Sequence, residues 1–272
     1  MDDQVIKRTG VIGLGAMGLQ MARHMAGKGF DGAGYDVDPD AVRRAAGHGV
    51  TACRSAAEVG RQAEVVIVMV ATDAQVEEVI ERSGLLDSLG RGGVICIASS
   101  CSPETCRRLA KIAAARGVGV LDCPVVLGQE AANNGAVTAY VGGDEQSFRR
   151  ARPALAAFSR QVLHLGDVGS GQLAKTVNNM LLWAAMAANF EALTLAKQLG
   201  ADIPRLVEAL GHGSGANWSL SRWGKSTGKW AEKDMDVALE LAQHAKMSAP
   251  LGALVDQLMK QINQDKMKAL LS

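Results

Sequence analysis

The sequence predicts an α/β chain in which a doubly wound parallel sheet is followed by an all-helical C-terminal domain. Three observations carry that prediction. From residue 9 to about 165, short β-branched apolar runs alternate with helical segments whose starts are legible. The first run ends in three glycines, Gly13, Gly15 and Gly18, at its join with an alanine- and methionine-rich segment. From residue 173 to 199, no strand-like run or breaker interrupts a composition of Ala, Leu, Met and Asn.

In chain order, the strand-like runs are GVIG over 10–13, VVIVMV over 65–70, VICIA over 94–98 and VGVL over 118–121. They do not alternate strictly, as expected for strands covered on both faces. The helices between them announce their N-termini. Asp38 before Pro39 reads as N-cap and N1, Ser55 with Glu58 fits a capping box, and Ser102-Pro103-Glu104 repeats the cap, proline and acid. Strand, helix, strand in repetition implies parallel crossovers. The uninterrupted stretch reads as one helix stopped by Gly200; its roughly 27 residues would span about 40 Å, enough to leave one domain and become the spine of a second. Beyond it, Ile203-Pro204, the Gly/Ser/Trp-rich stretch over 211–230 and DMDVALELAQHAKM read as helices and loops.

Glycine in a helix interior costs roughly 1 kcal/mol relative to alanine, so three within six residues need a reason. The G-x-G-x-x-G spacing after a strand supplies one. The first glycine permits a tight bend, the second lets a phosphate approach the backbone, and the third lets helix and strand pack closely, with a pyrophosphate at the helix N-terminus. Gly13, Leu14, Gly15, Ala16, Met17 and Gly18 are therefore the expected pyrophosphate loop of a Rossmann-type domain. The same fingerprint asks for an acid some twenty residues on, at the end of the second strand, and Asp36 stands there. A carboxylate accepts from ribose hydroxyls and repels a 2′-phosphate, so Asp36 points to NAD rather than NADP. Arg43 and Arg44 come too late to be the usual phosphate partner. A dinucleotide-binding domain over 1–165 and a helical substrate and oligomerisation domain over 166–272 are expected.

Bulk properties narrow the partners. With 272 residues, 48% of them hydrophobic, the chain can bury a full core. Its 29 basic and 28 acidic side chains leave a net +1, which provides no general pull toward nucleic acid or anionic lipid. The start, MDDQVIKRTG, lacks an apolar leader, and the longest greasy run, over 180–190, is too short to span a bilayer. A cytoplasmic protein without nucleic-acid or membrane partners is expected. Five cysteines without a C-x-x-C and five scattered histidines suggest neither a disulfide framework nor a metal site.

The segment GLGAMGLQMA resembles the opening fingerprint of the β-hydroxyacid dehydrogenase family, and further matches follow in order along nearly the whole chain. VIVMVATDAQVEEVI resembles the family's strand and loop over the cofactor, which implies Val70 and Ala71 in cofactor binding. SSCSPET resembles its Ser-Thr-x-x-Pro loop, with Ser100 at the threonine position beside the nicotinamide ribose. DCPVVLGQEAANNGAVTAYVGG resembles its substrate loop, which implies substrate contacts at Val126, Leu127 and Gly128. GDVGSGQLAKTVNNML resembles the catalytic segment, and EKDMDVALELA the late Lys-Asp helix, whose Lys233 matches the lysine that approaches the cofactor. The resemblance implies a homodimer or homotetramer acting on a small molecule.

The catalytic segment also makes chemical sense by itself. Lys175, Asn178 and Asn179 stand at i, i+3 and i+4, on one face of the long helix. Oxidising an alcohol needs a base for the hydroxyl proton, and the reverse reaction needs an acid for the nascent alkoxide. Lysine serves both if burial and a cationic nicotinamide bring it well below its usual value of about 10.4. Lys175 is thus the expected acid–base residue, with Asn179 fixing either the substrate oxygen or the lysine, and Asn178 as a further substrate contact.

One segment departs from the family. Where it carries Ser-Gly-Gly to bind a substrate carboxylate, this chain has Val126-Leu127-Gly128. Valine offers no hydrogen bond, and leucine fills space that glycine leaves open, at about 1–3 kcal/mol for each lost partner. Either the acid is held elsewhere, by Gln129, Asn133, Asn134 or the NWSLSRW stretch, or the substrate is larger and less polar. The expected function is an NAD-dependent interconversion of a 3-hydroxy acid and its semialdehyde. The alternatives are reduction of a non-carboxylate carbonyl or imine, and a non-catalytic nucleotide-dependent binding module.

Overall fold

Six strands form the main sheet, the central ones where the sequence can be covered on both sides. In a computed structural model that describes residues 6–225 and 227–272, they are β1 (Arg8–Ile12), β2 (Asp31–Tyr35), β3 (Thr51–Ala52), β4 (Val65–Val68), β5 (Val94–Ile97) and β6 (Gly119–Asp122). The first five residues of the acidic start, and Ser226 in the Trp-rich stretch, lie outside the described residues. All six strands are parallel, in the order β3-β2-β1-β4-β5-β6, so the winding reverses between β1 and β4. At such a switch point the loops leaving the carboxyl ends of neighbouring strands diverge and leave a crevice.

Every residue of β4 and β5 is buried. Val65 and Ile67 face one apolar cluster, with Met21, Met25 and Phe158, whereas Val66 and Val68 face another, with Val59, Leu85 and Leu109. Two covered faces explain why these strands read as continuous apolar runs. The connecting helices are α1 (Ala16–Gly27), α2 (Pro39–Ala46), α3 (Ala56–Gln62), α4 (Asp73–Glu77), which continues as a π-helical turn over Glu78–Arg82, α5 (Leu85–Leu89) and α6 (Pro103–Ala114). Asp38 and Ser102 cap α2 and α6 with proline at N1. Ser55 accepts from Glu58 N at the start of α3, but the Glu58 carboxylate takes the Arg54 amide at 2.7 Å, so the expected capping box is half formed. A complete one stands unforeseen at Thr72 and Gln75.

Two features depart from the strand pattern expected of the sequence. β4 stops at Val68, and Met69 and Val70 leave the sheet as a loop. After β6, a second sheet forms from β7 (Val125–Val126), β8 (Val137–Val141) and β9 (Ser159–His164), with α7 (Gly128–Asn133) and α8 (Glu145–Phe158) between its strands. β7 pairs antiparallel and β9 parallel to β8.

From Ser170 onward the described residues contain helices and no strand: α9 (Ser170–Gln198), α10 (Ile203–Leu210), α11 (Trp218–Ser221), α12 (Ala231–His244), α13 (Pro250–Met259) and α14 (Gln264–Ala269). Two compact units result, one ending at Lys175 and the other running Thr176–Ser272. The second has its own core, built on Trp183, Met186, Leu193, Met235, Met259 and Met267. No described helix is long and apolar enough to cross a membrane.

Candidate active site

At the carboxyl end of β1 the three glycines meet three different demands. Gly13 has φ +91°, and a Cβ there would lie 2.1 Å from the Met69 carbonyl oxygen. A Cβ on Gly18 would lie 1.9 Å from the Gly13 oxygen, so α1 can start against β1 only if that position is bare. Gly15, the residue before α1, is exposed, and nothing lies within 4 Å of a Cβ built on it. Tight bend, open approach and close packing are what a dinucleotide's pyrophosphate needs at a helix N-terminus.

Asp36 lies one residue past β2. Its Oδ2 accepts from Leu14 N at 2.6 Å and its Oδ1 from Asp38 N at 2.9 Å, which fixes the carboxylate beside the glycine loop. Each oxygen keeps a lone pair for further donors. The nearby basic residues are committed elsewhere, with Arg43 paired to Asp40 and Arg44 to Asp38. Val70 N donates to the buried Ser99 hydroxyl at 2.8 Å, tying the loop after β4 to the end of β5; Ala71, next along, is exposed and donates to Gln75 Oε1. The residues present therefore suit a dinucleotide, with the glycine loop for its pyrophosphate and Asp36 for its ribose.

Ser100, just past β5, accepts from Lys175 Nζ at 2.7 Å. Lys175 reaches it from the second turn of α9, whose start is anchored by Asp122 at the end of β6. Asp122 is fully buried; its Oδ1 accepts from Gly169 N at 2.6 Å and its Oδ2 from Gln172 N at 2.7 Å. Burial pushes its carboxyl above the ordinary aspartate range, against the pull of those backbone donors. A Cβ on Gly171 would lie 2.5 Å from the Tyr140 oxygen and 2.7 Å from the Asp122 oxygen, so the helix approaches this closely only with glycine there. The G-x-G before the lysine thus serves a buried helix anchor, a role that sequence reasoning missed along with Asp122 and Gln172. The signal was an acid at the carboxyl end of the last strand of the winding.

The loop after β7 packs against the glycine-loop helix. Gln129 Nε2 donates to Ala16 O at 2.9 Å, Arg23 to Asn133 O at 2.6 Å, and His24 Nε2 lies 3.1 Å from Ala132 O. Val126 is buried, and Leu127 stands at φ +82°, ψ 1°, followed by Gly128 at φ +74°. A branched side chain in that conformation is strained. Gln129 also donates to Asn133 Oδ1, and Asn134 to Glu130 O, so these amides serve local structure.

In the second unit, Asn178 Nδ2 donates to Asn179 Oδ1 at 3.0 Å, and Asn179 is buried. Lys233 is exposed in the first turn of α12, where the neighbouring Asp234 accepts from Trp183 Nε1 at 3.1 Å. In the NWSLSRW stretch, the Arg222 guanidinium lies 5.3 Å from the centre of the Trp218 ring, while Trp223 is buried. Among the described residues, no group of three or more His, Cys, Asp or Glu side chains could hold a metal ion.

Residues 8–166 match the family described as the NAD-binding domain of 6-phosphogluconate dehydrogenase, and residues 169–270 that described as NAD-binding of NADP-dependent 3-hydroxyisobutyrate dehydrogenase. The chain belongs to the β-hydroxyacid dehydrogenase family. Similar proteins include a 3-hydroxyisobutyrate dehydrogenase of Pseudomonas aeruginosa, 36% identical over 91% of this chain and 89% of its own length. An NAD-dependent L-serine dehydrogenase of the same organism is 33% identical over 92% of this chain and 90% of its own. Among solved structures, the 3-hydroxyisobutyrate dehydrogenase of Mycobacterium tuberculosis with L-serine superposes with a TM-score of 0.88, at 27% identity, over 98% of this chain and 100% of that one. As a β-hydroxyacid dehydrogenase, the protein is a nicotinamide-dependent oxidoreductase.

Proposed function

We propose that this chain interconverts a small 3-hydroxy acid and its semialdehyde with NAD, and that Lys175 moves the proton. The observation that carries the proposal is the 2.7 Å bond between Lys175 Nζ and Ser100 Oγ. It puts an amine at the carboxyl edge of the same parallel sheet whose first loop has the geometry for a pyrophosphate. When bound, the dinucleotide accepts or returns a hydride. Gly13 through Gly18 would hold its pyrophosphate, Asp36 its adenosine ribose, and Val70, Ala71, Ser100 and Lys233 the nicotinamide half. Lys175 would take the hydroxyl proton in oxidation and return it in reduction, with Asn179, one turn along α9, orienting the substrate oxygen or the lysine and Asn178 beside it. Val126, Leu127 and Gly128 would line the substrate. NAD is favoured over NADP because a second acid, Asp38, stands by Asp36 and its neighbouring arginines are paired.

A second substrate class has one specific observation in its favour. Val126 and Leu127 offer no side-chain donor where a carboxylate would sit, and Leu127 is retained in a backbone conformation that disfavours it. A less polar carbonyl or imine suits such a wall better. Turnover of NADH with a panel of carboxylated and neutral carbonyl compounds separates the two, and activity on neutral ketones alone would reject the hydroxy acid. Lys175→Met is expected to lower kcat about 100- to 10,000-fold while NADH still binds. Turnover like that of the parent would remove Lys175 as the proton carrier.

The chain is further proposed to work as a homo-oligomer, because α9 carries an exposed apolar stripe along the second unit, Val177, Leu181, Ala188, Ala192 and Leu195, continued by Leu199 just past its end.

A further inference from the structure

The side chain of Gln172 spans the loop that carries Ser100. It is almost completely buried; its Nε2 donates to Ser99 O at 2.7 Å and its Oε1 accepts from Cys101 N at 3.2 Å. One amide therefore bonds the residues on both sides of Ser100. Its orientation is not open to exchange, because a carbonyl must face a donor and an N–H must face an acceptor. The flanks of the loop are fixed as well, since Ser102 N donates to Asp73 Oδ2 at 2.8 Å and the Ser99 hydroxyl holds Val70 N. Gln172 also belongs to the turn of α9 anchored on Asp122, three residues before Lys175.

Resting on Lys175 as the acid–base group, we propose that Gln172 is a positioning residue. Its amide brackets Ser100 so that the serine hydroxyl is held at Lys175 Nζ. A hydroxyl suits that place because it accepts from an ammonium and donates to a neutral amine, so the pair stays bonded in either protonation state. Without the bracket, Ser100 and Lys175 remain, but the distance between them is no longer set. Misplacement of about 1 Å is enough to cost on the order of 100-fold in rate.

Two Gln172 variants separate positioning from mere stability. Gln172→Met keeps the volume and removes both bonds. It is expected to lower kcat about 10- to 100-fold with NAD and 3-hydroxyisobutyrate or L-serine as probes, leaving NADH affinity within about twofold. Gln172→Glu cannot donate to Ser99 O as a carboxylate but can as a neutral acid, so its kcat relative to the parent rises as pH falls. Asp73 on the loop side, Asp122 beneath the helix, Arg107 on α6 and Lys175 itself are common to both proteins, so what they contribute largely cancels in that ratio.

A readout without turnover is acetylation of the intact chain by acetic anhydride, followed peptide by peptide by mass spectrometry. Labelling of Lys175 relative to exposed Lys111 should rise severalfold in Gln172→Met, as in Ser100→Ala. Unchanged labelling overturns the bracket, and so does a Gln172→Met protein that melts earlier yet keeps parental kcat. An active Lys175→Met would instead sink the acid–base assignment, with the labelling result still standing for the bracket itself.

Discussion

Asp36 shows how much one carboxylate can decide. It organises the loop through Leu14 N and Asp38 N, and in the proposed complex it accepts from the ribose hydroxyls. Hydrogen bonds to a charged group contribute about 1.5–3 kcal/mol each, so Asp36→Ala should lower kcat/KM for NAD about 10- to 100-fold. The same change removes a repulsion against a 2′-phosphate, and the NAD-to-NADP ratio of kcat/KM should move toward NADP. The ratio is the measurement to make, because any loosening of the loop affects both cofactors; an unchanged ratio would take Asp36 away from the ribose. At this scale, Gly13, Gly15, Gly18 and Asp36 were legible in the sequence because each answers a steric or charge demand visible in spacing alone. Gln172 and Asp122 were not, because their partners lie 73 and 50 residues away and the bonds appear only when β5, β6 and α9 come together.

Elements of this fold are joined by a few charged contacts at strand ends, and Glu64 at the start of β4 is one of them. Burial by itself would push its carboxyl up, but the Lys7 and Arg8 backbone donors, with the Arg8 and Arg150 guanidinium groups, outweigh burial and hold it below the ordinary glutamate range. A carboxyl lowered on folding contributes stability that is present above the ordinary value and is lost as pH falls through the lowered one. Glu64→Gln should therefore cost about 1 kcal/mol at neutral pH. That deficit should shrink once pH drops below about 4.5, which urea midpoints of parent and variant at several pH values will show. A deficit independent of pH would mean that the glutamate acts through packing. Strands β1, β4, β5 and β6 and the α9 helix could be read from hydrophobic runs and uninterrupted composition, whereas β2, reading DGAGY, and the two-residue β3 carry no apolar run. The second sheet could not: β7 has two residues, and β9 reads SRQVLH, with its exposed and half-buried positions giving no apolar face. Its strands exist because β8 offers a buried partner, and pairing of that kind leaves little trace in one strand's own sequence.

Across the whole molecule, the feature that neither packing nor chemistry has used is the outer stripe of α9. Val177, Leu181, Ala188, Ala192 and Leu195 recur at helical spacing over about 27 Å, and Leu199 follows just past the end of the helix. Leu181 is 68% exposed and Leu199 78% exposed. The inner face of the same helix supplies Trp183, Met186 and Leu193 to the core of the second unit, so the helix is apolar on two sides. A helix of that kind is stable in water when its second face is covered, and single exposed leucines do not form a row of this length by chance placement. A second copy of the chain is the occupant that needs no other protein, and twofold pairing would set the stripe against itself. Leu181→Lys combined with Leu195→Lys places charges along that seam without touching the inner face, so the unit should fold and the assembly should fail. In sedimentation velocity, the parent should run as a dimer or larger species and the double variant as a smaller one with unchanged helical circular dichroism. A parent that sediments as a monomer at micromolar concentration would reject self-association, and a variant that keeps the parent's size would move the interface off α9.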